Sequence, residues 1–130
     1  MAGRTYSAAL IAPDTDKDKA GFQGTPFSGT FDGRGHVIRH LTIRSDIYYD
    51  YLGLFGMIAP GGRIDNLHLP DVDLAGGRGT STYIGALAGY NGGTLTDCSA
   101  TGIVEGGRGD GLVGFNSGSL IECQADVTRI

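Results

Sequence analysis

Toward the C-terminal end of the chain the apolar positions recur in one pattern. Leu95, Cys98 and Ala100 are followed by Leu120, Cys123 and Ala125, each set spaced by three and then two residues with mostly polar residues between. The glycine-rich runs ahead of them repeat too, Gly89 matching Gly114 and Asn91 matching Asn116. The displacement is 25 residues throughout, and a fixed period in this range marks stacked structural repeats. Earlier copies follow with small insertions: Gly53-Leu54-Phe55-Gly56 precedes Ile64, Leu67 and Leu69, and Ile38, Leu41 and Ile43 show the same spacing. These sets predict four rows of an inward ladder. Because Cβ atoms alternate across a strand, the residues beside them predict two outward columns. One is His40, Asn66, Asp97 and Glu122, and the next is Thr42, His68, Ser99 and Gln124.

Stacked strands joined in this order imply an all-β, parallel β-helix (β-solenoid) of about four coils, since each coil buries its apolar row only against its neighbours. Parallel crossovers are right-handed in nearly all cases, which sets the expected hand. Residues 29–130 carry the repeats. Residues 1–28 do not fit the period and read as an N-terminal cap over an open strand edge, the kind of edge natural proteins cover. The inward residues shrink from Leu and Ile to Cys and Ala toward the C-terminus. The core there either narrows or is filled from another face, and the runs around Gly56, Gly89 and Gly114 are structural candidates for that second face, where glycine permits close packing.

The pattern Gly-Leu-Phe-Gly at 53–56, Gly-Leu-Val-Gly at 111–114, the Asn-x-Gly turns at Asn91 and Asn116, and the following Ile-x-x-Leu or Leu-x-x-Cys resemble the GLUG repeat of bacterial secreted and cell-surface proteins. The resemblance covers residues 29–130. It implies a right-handed parallel β-helix of the kind found in large adhesins, autotransporter-like proteins and the non-catalytic parts of some immunoglobulin-A proteases. It implies no catalytic motif. The expected role is a non-enzymatic extracellular or cell-surface module, a spacer or adhesin, with a glycan or a host or cell-surface protein as partner.

Composition narrows the choices only in part. With 24 Gly, 4 Pro and 40% hydrophobic residues the chain is neither collagen-like nor disordered. A net charge of −4 with singly scattered arginines argues against nucleic acid as partner. No run is apolar enough to span a bilayer or act as a signal peptide, so a secreted chain of this kind is expected to be a processed or excised piece. The two cysteines occupy equivalent places in consecutive coils, about 4.8 Å apart. That spacing permits a disulfide without requiring one, and the alternative is a pair of reduced core thiols.

Candidate chemistry is sparse. Asp97 and Glu122 fall on neighbouring rungs with His68 diagonal to them. Like charges so placed are destabilising and invite a basic ligand or cation, or acid–base work on a glycosidic bond, so a polysaccharide-binding or polysaccharide-cleaving domain is the alternative function. Their bland reading is a solvated outer face. Asp14, Asp16 and Asp18 open like a calcium loop, but Lys19 and Thr25 stand where that loop needs Gly and Glu, so calcium competes with an ordinary surface loop. Tyr48, Tyr49 and Tyr51, with Tyr83 close by in the repeat alignment, form the aromatic cluster best suited to a ligand, against packing of an insertion over the coil. Asn91 and Asn116 predict a short Asn ladder. Arg108-Gly109-Asp110 matches a cell-attachment tripeptide in a Gly-rich turn, a match short enough to arise by chance. An uncovered C-terminal coil predicts either a homodimer through that coil or continuation in a larger parent chain.

Overall fold

The computed structural model describes Thr5, Tyr6, Ala9, Ile11 and residues 24–44, 51–76 and 83–129. Among these the secondary structure is all strand. In chain order the strands are β1 (Thr5–Tyr6), β2 (Thr30–Asp32), β3 (Thr42–Arg44), β4 (Tyr51–Leu52), β5 (Phe55–Ile58), β6 (Arg63–Asp65), β7 (His68–Ala75), β8 (Tyr83–Asn91), β9 (Thr94–Thr96), β10 (Ser99–Glu105), β11 (Arg108–Asn116), β12 (Ser119–Ile121) and β13 (Gln124–Arg129). They form three sheets, ordered β1-β3-β7-β10-β13, β2-β6-β9-β12 and β4-β8-β11, with β5 also on β8. Every pairing is parallel. Apart from β4 and β5, consecutive strands enter different sheets, and from β6 onward each pairs with the strand three places along, as in a β-solenoid.

The ladders follow from this register. Phe31, Ile64, Leu95 and Leu120 are stacked in one sheet, and Leu69, Ala100 and Ala125 in another. Ile64, Leu69 and Leu95 are fully buried, whereas Leu120 and Ala125 at the last rung are half-buried. Ahead of the repeats, β1 pairs with β3, Ile11 bridges to Phe55 and Phe27 to Ile58. The Phe27 and Phe31 rings close on Phe55 at centroid distances of 5.1 and 6.0 Å.

The first repeat takes a different register from the one its spacing suggests. Val37 bridges to His68, Thr42 pairs with Asp73 and Ile43 with Leu74. Ile38, Leu41 and Ile43 therefore lie beside Leu69, Val72 and Leu74 rather than Ile64, Leu67 and Leu69. Both triplets have the three-then-two spacing, so the sequence admits two alignments five residues apart. His40 (φ 56°) is left-handed and suits either Asn66 (φ 54°) or Asp71 (φ 61°) as its neighbour. The second alignment is selected because β2 and the turn after it take the place beside Asn66, Asp32 pairing with Asp65 and Gly35 donating its N–H to Asn66 O at 3.0 Å. This leaves His40 to donate to Pro70 O at 3.1 Å, next to Asp71.

Candidate functional site

The residues beside the inward rows do not form a flat polar strip. Asn66, Asp97 and Glu122 have φ of 54, 53 and 53°, and each is the single left-handed residue that turns the chain from one sheet to the next. Asn and Asp enter this conformation more readily than other non-glycine residues, so a backbone demand accounts for the polarity of the first two. Asp97 and Glu122 are exposed on this corner, and among the described residues neither takes part in a salt bridge. His40 leaves the column by the register above, and Thr42 leaves the second one. His68 keeps its place beside Ser99 and Gln124, and its Nδ1 lies 2.7 Å from Ser99 Oγ rather than on either carboxylate.

The glycine-rich runs hold a feature that alternation does not reveal. Tyr83 and Tyr90 are seven residues apart, which in an extended strand spans about 23 Å. Yet both rings touch Tyr51, at 5.8 and 5.9 Å, and both touch Phe115, at 5.5 Å. The intervening Ile84 to Gly89 are all buried, so the chain detours into the core and returns. The return needs glycine at the neck. A methyl group on Gly109 (φ +143°) would sit 2.7 Å from the Cα of Gly114, and one on Gly89 would sit 2.8 Å from Tyr51 Cβ and 2.9 Å from Gly56 O. The detour of β11 crosses to the opposite sheet: a methyl on Gly111 would lie 3.0 Å from Val127 Cβ and 3.6 Å from Ala125 Cβ. Here the shrinking inward residues are met from the far side, and Gly56, Gly89 and Gly114 are neck residues rather than simple corners.

The necks gather four rings on the outer face of the β4-β8-β11 sheet. Tyr51 and Tyr83 are parallel within 14° and Tyr90 and Phe115 within 10°, while the cross pairs meet at 81 and 69°. Arg108 places its guanidinium 5.8 Å from the Tyr83 centroid, and Tyr90 Oη lies 2.7 Å from Ser117 Oγ. The three tyrosines are half-buried and Phe115 is 44% exposed. The anticipated meeting of Tyr51 with Tyr83 is present, and Tyr48 and Tyr49 lie outside the described residues. Tyr90 and Phe115 were missed. Their signal is the repeat itself, Gly89-Tyr90-Asn91 against Gly114-Phe115-Asn116.

The remaining candidates resolve into local structure. Asn91 is fully buried. Its Oδ1 accepts Gly93 N–H at 3.0 Å and its Nδ2 donates to Asn116 Oδ1 at 2.9 Å, giving the expected ladder, though neither Asn is left-handed. Cys98 and Cys123 are free thiols. Cys98 donates to Thr96 O at 3.4 Å, and burial pushes its thiol up to about 11. Within Arg108-Gly109-Asp110 the Asp110 carboxylate turns back to accept the N–H groups of Leu112 and Val113, both at 3.0 Å, so this tripeptide is engaged by its own domain. Asp14, Asp16 and Asp18 lie outside the described residues. Among the described residues no three His, Cys, Asp or Glu side chains gather as a metal site.

The stretch that holds one neck, its left-handed corner and the following strand, residues 80–105, matches the family described as the GLUG motif. The chain is a GLUG-repeat protein. This GLUG-repeat chain is 39% identical over 97 residues to Halomucin of Haloquadratum walsbyi (strain DSM 16790 / HBSQ001). The match covers 74% of the chain and 1% of that protein's length. The organism is an archaeon, so the likeness extends beyond the bacterial proteins that the repeats resemble. No solved structure matches the chain.

Proposed function

We propose that this GLUG-repeat chain is a non-enzymatic module of an extracellular or cell-surface protein, working as a spacer or adhesin. It would be a right-handed coil of about four turns with residues 1–28 as its cap, because stacked repeats need covered ends. The observation that carries the reading is the match to one part in a hundred of a far longer protein. A segment of that kind contributes length, or a surface, to a whole. The edge of β11, β12 and β13 supports the same view. Phe115 and Ile121 are 44 and 48% exposed there and Leu120, Cys123, Ala125 and Val127 only half-buried, a surface suited to a further coil of a parent chain or to a second copy. Cleavage of polysaccharide by Asp97 and Glu122 gains no support from single exposed corner residues.

Binding to a broad glycan array in calcium-containing buffer tests the proposal, with sedimentation reporting self-association. Saturable binding to one glycan class establishes an adhesin. A folded, protease-resistant chain that binds none establishes a spacer. Release of reducing ends from a polysaccharide, lost on Asp97→Ala or Glu122→Ala, would overturn both.

A further inference from the structure

We infer that the face bearing Tyr51, Tyr83, Tyr90, Phe115 and Arg108 binds a carboxylate-bearing polysaccharide laid along the coil axis. The inference deepens the adhesin reading and rests on it. The rings are not part of the core, which is closed beneath them by the buried Ile84–Gly89 detour. They stand on three successive rungs about 4.8 Å apart, Tyr51 on the first, Tyr83 and Tyr90 on the second and Phe115 on the third, a rise close to the advance of an extended polysaccharide per sugar. Successive pyranose rings can therefore meet successive rungs through their C–H faces, the kind of contact an amphipathic aromatic edge provides. The Tyr90–Ser117 hydroxyl pair, 2.7 Å apart, lies beside them and offers donors and acceptors to sugar hydroxyls.

Charge selects the class of sugar. Arg108 is exposed, sits over Tyr83 at 5.8 Å, and no carboxylate pairs with it among the described residues. The nearest acid along the strand, Asp110, is held by two backbone N–H groups. The face is thus aromatic and cationic on a chain whose net charge is −4. A guanidinium beside a ring presents a rigid fork of donors, which matches the two oxygens of a uronate.

The probe is polygalacturonate, compared with the same polymer fully methyl-esterified so that the sugar ring is unchanged and the carboxylate is masked. The chain has 6 Tyr and no Trp, so tyrosine emission reports directly on this face, half of the tyrosines being in it. Binding to the free acid, at least about tenfold weaker for the ester and weakened to a similar extent by Arg108→Gln, is the expected result. The Arg108→Gln unfolding midpoint should match the parent, and Tyr83→Ala should lose binding to both polymers. Equal affinity for acid and ester, undiminished binding by Arg108→Gln, or no binding to the acid would each overturn the inference. A neutral glycan bound on the array by both the parent and Arg108→Gln would overturn it while leaving the adhesin reading intact.

Discussion

Replacing Gly114 by Ala tests the inward detours, because the neck is where they meet the sheet. A methyl group there would lie 2.4 Å from Gly89 O, 2.7 Å from Ile84 N and 2.8 Å from the carbonyl carbon of Tyr83. All three are backbone atoms of β8, so no side-chain rotation relieves the contact, and the nearest is roughly 1 Å inside the optimum for non-bonded atoms. Relief requires β11 to lift from β8, which strains the Tyr90–Phe115 stack and the 2.9 Å Asn91–Asn116 hydrogen bond. Overpacking of this kind costs about 1–3 kcal/mol. Against it stands a gain of about 0.4–1 kcal/mol from the stiffer unfolded chain. The net loss should be about 1–2 kcal/mol, read as a lower midpoint in urea unfolding followed by far-UV circular dichroism. Gly29→Ala is the control. Its methyl would meet only the Phe27 ring, at 3.5 Å, and its stability should stay within about 0.5 kcal/mol of the parent. A Gly114→Ala chain as stable as the Gly29→Ala chain would refute the neck.

Three further outcomes follow from the geometry. Asn91→Ala should cost about 1–3 kcal/mol by leaving the buried Gly93 N–H without its acceptor, whereas Asn116→Ala on the exposed rung should cost clearly less in the same urea titration. Glu122→Gly should raise the melting temperature slightly, since left-handed backbone costs a non-glycine residue roughly 1 kcal/mol. A loss of stability would instead show that the Glu122 side chain is needed. For Cys98 the folded thiol, about 11, lies above its ordinary value of 9.0 because burial disfavours the thiolate. The linked stability is fully present below pH 9 and lost as pH rises through 11, on the order of 2–3 kcal/mol in all. Urea unfolding between pH 8 and 11, set against Cys98→Ala to remove the tyrosine contribution, measures it. Parallel pH profiles for the two chains would rule it out.

The 25-residue period read the later rungs well. It placed Leu95 beside Leu120, Ser99 beside Gln124 and Asn91 beside Asn116, all of them register partners. It misplaced Ile38 and Leu41 because the three-then-two spacing occurs twice within a coil, and left-handed His40 suits Asn66 as well as Asp71; the tie is broken by the turn at 33–35, which takes the place beside Asn66. Asp97 and Glu122 read as strand residues for a related reason: a one-residue left-handed corner leaves the apolar spacing on either side unchanged. The detours were hidden more completely. The three apolar residues between glycines at 85–89 suit a strand as well as a loop tucked into the core. Only the return of the chain at the neck, which no local pattern encodes, sets both Tyr83 and Tyr90 against Tyr51 and Phe115 and so brings the four rings together.

The inward detour also bears on how such a chain can change its length. In most stacked architectures a coil depends on bulky side chains from every wall to fill its own cross-section. Here one wall sends a loop of backbone across the interior, so that Gly111 rests on Ala125 and Val127. The two units related by 25 residues each carry their own filling and their own Asn, Asn91 and Asn116. Duplication of such a unit sets neck glycine on neck glycine and Asn on Asn, so the number of coils becomes a quantity that recombination can alter with few compensating substitutions.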